Sequence, residues 1–146
     1  MYSSSHAAIG TTLVAGGFIT GGTGGLIVGA AVAVVSHLFV DYLGEEPYGD
    51  LTTSAIWELI PMLIFAASAF LSGYPMVFLV GWLAGNLMDI IDKKLYLAMF
   101  LKNVDPWYFF HKGKPKIKLD LATTKMYAFM SCIVYVTVAI MMKGYA

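Results

Sequence analysis

The feature that most constrains the fold is an uncharged stretch of 30 residues that occurs twice. The first lies between His6 and His37, the second lies between Glu58 and Asp89, and neither contains an ionisable Asp, Glu, Lys, Arg or His. The two stretches are offset by 52 positions. One helical crossing of a bilayer takes roughly 20 residues. Each stretch is therefore too long for a single membrane-spanning helix.

Turn-forming residues interrupt each stretch near its middle. Thr20-Gly21-Gly22-Thr23 divides the first stretch, and Ser72-Gly73-Tyr74-Pro75 divides the second at the same offset. Gly and Pro favour a turn over continued helix. We therefore predict two helical hairpins. Because a hairpin returns the chain to the side it left, the ionisable groups at all four outer ends should lie at one membrane face.

Composition agrees with a membrane protein and excludes some partners. The chain is 59% hydrophobic and 12% charged, whereas soluble domains carry about 25% charged residues. The formal net charge of zero leaves no basic surface to neutralise phosphates, so no nucleic-acid partner is expected. The one cysteine, Cys132, excludes an intramolecular disulfide. Membrane lipids are the expected partners, together with a homo-oligomer or a larger membrane assembly.

The predicted fold is all-α: a single polytopic membrane bundle of about five transmembrane helices. Asp120 is expected to cap the last helix, and Asp92, beside Lys93, is expected to meet water. The predicted parts are hairpin repeat 1 at 4–43, hairpin repeat 2 at 53–92, an interfacial segment and loop at 93–119, and a C-terminal helix at 120–142.

Lysine placement predicts the orientation. Eight of the nine lysines lie between Lys93 and Lys125, on the side where the hairpins begin and end. The two hairpin tips carry no charge. By the positive-inside rule the lysine-rich side is cytoplasmic. We therefore expect an integral protein of the bacterial inner membrane with a cytoplasmic N-terminus.

Histidines and carboxylates at the hairpin ends are the candidate chemical groups. His37 and Asp41 are four positions apart and so share one face of a helix. His6, Glu58 and Asp89 lie at the other hairpin ends. Ionisable groups in membrane segments usually face the bundle interior. A mixed set of this kind suits zinc, manganese or iron better than calcium, although polar residues at helix ends also simply meet water.

Several short motifs resemble those of small bacterial predicted membrane-bound metal-dependent hydrolases. They are an early His followed by Ala-Ala-Ile-Gly, then Ser36-His37-Leu38-Phe39-Val40-Asp41, Gly85-Asn86-Leu87-Met88-Asp89 and Phe110-His111. The resemblance implies a metal set of His6, His37, Asp41, Asp89 and His111. The chain departs from it in two places: Lys112 follows His111 where a second histidine is frequent, and His6 is followed by Ala7-Ala8 rather than an arginine-glycine pair.

Two functions of different class follow. One is a membrane-embedded hydrolase that uses a divalent metal, zinc or manganese, on a lipid-linked or phosphorylated substrate at the cytoplasmic face. Glu58, at the repeat position equivalent to His6, would then be the general base or a partner of the metal ligands. The alternative is a non-catalytic subunit or anchor of a larger membrane assembly, in which the polar set forms a structural hydrogen-bonded network.

Overall fold

The computed structural model describes residues 3–40, 43–45, 51–92 and 117–145. In these ranges the chain forms four helices: α1 (Ser3–Val40), α2 (Leu51–Leu71), α3 (Pro75–Asp92) and α4 (Leu121–Tyr145). Two three-residue strands, β1 (Leu43–Glu45) and β2 (Ile117–Leu119), pair in parallel with Leu43 opposite Ile117. The site candidates Asp41 and His111, and most of the predicted interfacial segment, lie outside the described residues.

Helix α1 is bent back on itself at Gly21 and Gly22. Gly22 has φ 56° and ψ −139°, a backbone conformation that is essentially restricted to glycine. On either side of the bend the backbones touch: a methyl group on Gly17 would overlap the carbonyl oxygen of Gly25, and one on Gly29 would overlap that of Leu13. The two halves of α1 therefore pack against each other on either side of this bend, as the first predicted hairpin requires.

The turn between α2 and α3 lies where the sequence predicts it. α2 ends at Leu71, and α3 begins at Pro75 and ends at Asp92, the predicted end of hairpin repeat 2. Gly73 has φ 76°, and the amide of Tyr74 donates to the Ser72 hydroxyl oxygen at 2.9 Å. Pro75 suits the first position of a helix because its missing N–H would have no partner there.

The two hairpins pack differently. α3 lies along α1, where a methyl group on Gly10 would overlap the Gly81 carbonyl and one on Gly85 would overlap the His6 carbonyl. α2 instead packs mainly against α4. Rings fill the junction between the two pairs of helices, with Phe65 5.1 Å from Tyr135 between ring centres. The bundle is therefore held by α1–α3 and α2–α4 contacts rather than by two equivalent hairpins.

Ring contacts fix the direction of α4. Tyr145, at its end, lies 5.7 Å from Phe18 and 6.3 Å from Tyr74 between ring centres, and both of those residues are near hairpin tips. Near its start, the Lys125 ammonium lies 5.6 Å from the centre of the Trp57 ring. α4 thus runs parallel to α2 and to the first arm of α1, so that its end lies with the hairpin tips.

Asp120 caps α4 as the sequence predicts. The Thr123 amide donates to its carboxylate oxygen Oδ1 at 2.8 Å. Hydrogen bonds from the Thr123 side chain and backbone lower the pKa of this exposed carboxyl below 3.8, since they favour the ionised form.

Three helical segments among the described residues are long and apolar enough to cross a membrane: Ser4–Val40, Pro75–Asp92 and Leu121–Tyr145. These segments suggest a membrane protein. Their number is smaller than the five crossings predicted from the sequence. α1, with its bend at Gly21 and Gly22, counts as one of these three segments, and the apolar stretch found in α2 among the described residues, Ile56–Leu71, is shorter. Large apolar side chains lie on the outside of the bundle, Phe70 at 83% exposure and Phe39 at 71%, as contact with lipid would require.

Candidate metal centre

Three of the predicted site residues meet at the end of the bundle opposite the hairpin tips. His6 lies in the first turn of α1, His37 in its last turn, and Asp89 in the last turn of α3. The Asp89 oxygen Oδ2 is 3.8 Å from Nε2 of His6 and 3.8 Å from Nε2 of His37. His37 and Asp89, which the sequence predicts at the same membrane face, therefore lie close together.

The two imidazoles are stacked and buried. Their ring centres are 4.0 Å apart with an angle of 18° between the planes, and His6 and His37 are 2% and 1% exposed. The Asp89 side chain retains 12% exposure. The cluster is therefore closed on the histidine side and slightly open on the carboxylate side.

The main chain of α3 orients His37. Its Nδ1 lies 2.6 Å from the Gly85 carbonyl oxygen, and since a carbonyl only accepts, Nδ1–H is the donor. In a neutral imidazole the lone pair is then on Nε2, the nitrogen nearest Asp89. A histidine that binds a metal through one nitrogen commonly donates from the other to a carbonyl or carboxylate, which fixes its tautomer. His37 has this arrangement.

The spacing of the donor atoms suits a metal ion. One ligand atom from each of His6, His37 and Asp89 can be chosen so that all lie within 4.8 Å of one another. A point within about 2.8 Å of all three atoms must then exist, and small side-chain movements would bring it to the 2.0–2.2 Å of zinc–nitrogen and zinc–oxygen bonds. Two histidines and one carboxylate leave coordination positions open, as in catalytic sites.

Contacts around the start of α1 hold His6 in place. The Tyr135 hydroxyl donates to the Ser4 carbonyl oxygen at 2.5 Å, which ties α4 to the turn that carries His6. On the side facing α3, the His6 backbone contacts Gly85 so closely that any side chain at position 85 would overlap the His6 carbonyl oxygen. His6 is thus positioned by α3 and α4 together.

Glu58 is not among the three described donors whose ligand atoms lie within 4.8 Å of one another. Glu58 is half-buried on α2, the helix that packs mainly against α4, and the donor cluster found among the described residues comprises only His6, His37 and Asp89. His6 and Glu58 occupy equivalent repeat positions, as do His37 and Asp89. In the second of these two pairs, His37 Nε2 and Asp89 Oδ2 are 3.8 Å apart.

Three features of the site have no counterpart in the sequence prediction. The Gly85 carbonyl and the Tyr135 hydroxyl, which orient His37 and anchor α1, carry no sequence motif that marks those roles. Asp92 was expected to meet water, but it is fully buried. Its position three residues after Asp89, on the same helix face, was the available signal that it would share that residue's environment.

Comparison with protein-family models, curated proteins and solved structures finds no match to this chain. The resemblance to membrane-bound metal-dependent hydrolases stays a prediction, and the functional argument rests on the geometry of the site.

Proposed function

We propose that this chain is an integral membrane metalloprotein that holds one divalent ion, zinc or manganese, through His6, His37 and Asp89. The observation that carries the proposal is the convergence of three donor groups from three separate helix ends on one buried point. The orienting hydrogen bond from His37 to Gly85 supports it. Asp41 and His111 remain candidates for a fourth ligand.

The chemistry we propose is hydrolysis of a lipid-linked or phosphorylated substrate. A divalent ion with an open position lowers the pKa of bound water towards about 7, which supplies a nucleophile at neutral pH. The exposed edge of Asp89 is the side from which a substrate would approach. Glu58 remains the candidate general base, to be tested by substitution.

We further propose that the chain crosses the bacterial inner membrane five times, with a cytoplasmic N-terminus. Each arm of the α1 hairpin has 18 residues outside the bend, and so a length of about 27 Å, close to the ~30 Å hydrocarbon thickness. Lysine placement supports a cytoplasmic site. Substrate would then come from the cytoplasm or the inner leaflet.

The competing function is a non-catalytic subunit or anchor of a membrane assembly. The observation that favours it is the near-complete burial of both imidazoles, which a structural polar network would also produce. In that case the cluster would bind no metal, and replacing a member would reduce only stability.

Elemental analysis of the purified full-length protein distinguishes the two functions. We expect about one divalent ion per wild-type chain, and loss of that ion in His37→Gln and Asp89→Asn, because each removes a proposed ligand, and loss of even a hydrogen-bond partner of a ligand typically costs about 10–100-fold in metal affinity. Glu58→Gln is the matched control, since it removes a carboxylate at the repeat position equivalent to His6, is not one of the three proposed ligands, and should retain the metal.

Circular dichroism of each variant shows whether metal loss reflects unfolding. A folded, metal-free wild type that takes up neither zinc nor manganese on titration would refute the metal site. If the metal is present, phosphate release from short-chain lipid phosphates by wild type, and its loss in Glu58→Gln with metal retained, would support hydrolysis with Glu58 as the base.

A further inference from the structure

An apolar groove lies between α2 and α4, separate from the metal centre. Its volume is about 80 Å³, and its walls include Ile56, Trp57 and Pro61 from α2 with Ala128 and Cys132 from α4. These walls present aliphatic and aromatic groups and one thiol, with no charged side chain. The outer edge is exposed, as Ile56 at 49% shows. The groove therefore opens towards the surroundings of the bundle, where lipid would lie.

A lysine marks one end of this groove. Lys125 precedes Ala128 by three positions on α4 and lies on the same helix face. Its ammonium is 5.6 Å from the centre of the Trp57 ring, within the range of a cation–π contact. Lys125 thus contacts Trp57, which is also part of the groove wall. The ammonium group therefore lies next to the apolar surface of the groove.

The length of α4 places Lys125 near headgroup depth. Its 25 residues span about 37 Å, longer than a hydrocarbon layer of ~30 Å, so its ends reach the polar layers. Lys125 is in the second turn, and a lysine there extends its ammonium towards the interface. Cys132, seven positions further along, is about 10 Å deeper in the apolar layer.

We propose that this groove is a binding site for an anionic glycerophospholipid. One acyl chain lies against the apolar walls, and the lipid phosphate pairs with the Lys125 ammonium. Asp120, five positions before Lys125, accepts hydrogen bonds from Thr123, whereas the contact described for the Lys125 ammonium is with the Trp57 ring. The site requires no metal, so it stands independently of the proposed hydrolysis.

The walls favour a lipid chain over a peptide. An extended peptide buried in the groove would bring N–H and C=O groups that apolar walls cannot satisfy, and each unsatisfied group is costly in an apolar environment. An acyl chain has no such groups. The cation at the groove end selects the negative headgroup, and the clustering of lysines between Lys93 and Lys125 strengthens the same preference.

The single native cysteine reports occupancy of the groove directly. Full-length protein is reconstituted in nanodiscs of phosphatidylcholine alone, or with added phosphatidylglycerol, and Cys132 alkylation by uncharged N-ethylmaleimide is followed by mass spectrometry. We expect slower alkylation when phosphatidylglycerol is present, because the bound chain covers the thiol. Equal rates in the two lipids would overturn the proposal.

Lysine variants separate a specific site from general surface charge. Lys125→Gln should weaken protection by phosphatidylglycerol about fivefold, the effect of one interfacial lysine, and Lys125→Arg should preserve it. Lys143→Gln, at the opposite end of α4, is the matched control and should behave as wild type. Unchanged protection of Cys132 in Lys125→Gln would refute the site and indicate an effect of general surface charge. Protection that depends on protein concentration rather than on phosphatidylglycerol would refute it and indicate self-association.

Discussion

The two ring nitrogens of His37 face different partners. Nδ1 lies 2.6 Å from the Gly85 carbonyl and donates to it, whereas Nε2 is 3.8 Å from Asp89. The first contact joins α1 to α3, and the second belongs to the proposed metal centre. Because the two contacts use different atoms, substitution can separate structural from ligand roles.

His37→Asn is expected to lose the metal with a smaller loss of stability than His37→Ala. The asparagine amide can occupy the position of Nδ1 and donate to Gly85, but it has no atom at Nε2. His37→Ala loses both contacts, and the buried hydrogen bond alone contributes about 1 kcal/mol. Thermal unfolding in detergent and metal content would be measured for both variants. Retained metal in His37→Asn would contradict the role given to Nε2.

Asp120 predicts a pH dependence confined to acid conditions. Its pKa is lowered in the folded chain by hydrogen bonds from Thr123, so its stabilising effect is present above the ordinary value of 3.8 and is lost as pH falls towards the lower folded value. Asp120→Asn can still cap the helix but cannot titrate. The difference in melting temperature between wild type and Asp120→Asn should therefore shrink below about pH 4. A difference independent of pH would contradict this.

Contact between glycines determines how the helices approach. Glycine spacing of four residues, as at Gly81 and Gly85 or Gly25 and Gly29, indicates close approach of membrane helices, and the structure has those contacts. The turn at Gly21-Gly22 was equally predictable, because few other residues suit it. The partner helix of each glycine face could not be predicted, because several helices present a face of small residues.

Gly81→Ala is expected to separate α1 from α3. The added methyl would overlap backbone atoms of Thr11, which cannot move aside as a flexible side chain can, and overpacking of this kind costs about 1–3 kcal/mol. Gly16→Ala is the matched control: it is also helical and has open space around it, so it should be neutral or slightly stabilising. Thermal unfolding in detergent would compare them. Equal stability of the two variants would contradict the α1–α3 contact.

At the scale of the whole molecule, equal arm lengths explain why the site forms. His6 is 15 positions before Gly21, His37 is 15 after Gly22, and Asp89 is 14 after Pro75. All three therefore lie about 21–23 Å from the hairpin tips. In a hydrocarbon layer of ~30 Å this depth is below one surface, where an ionisable group requires partners.

The same reasoning shows why the site could be predicted only in part. Glu58 is 14 positions before Ser72 and shares the depth of the cluster, yet its helix α2 packs mainly on α4, and the three donors within 4.8 Å of one another do not include it. Spacing along the sequence fixes depth along a helix axis. It does not fix which helix is the neighbour or which side of the bundle a residue faces.

Topology gives the last prediction. Because the hairpin tips carry no charge and the lysines cluster at the other end, the tips should be outside the cell. In a Cys132→Ser background, Gly24→Cys and Met76→Cys at the two tips should react with a membrane-impermeant maleimide in intact cells. Ala122→Cys, at the opposite end, should react only after permeabilisation. Reaction of Ala122→Cys alone in intact cells would invert the orientation, and reaction of only one tip would refute the parallel arrangement of the hairpins.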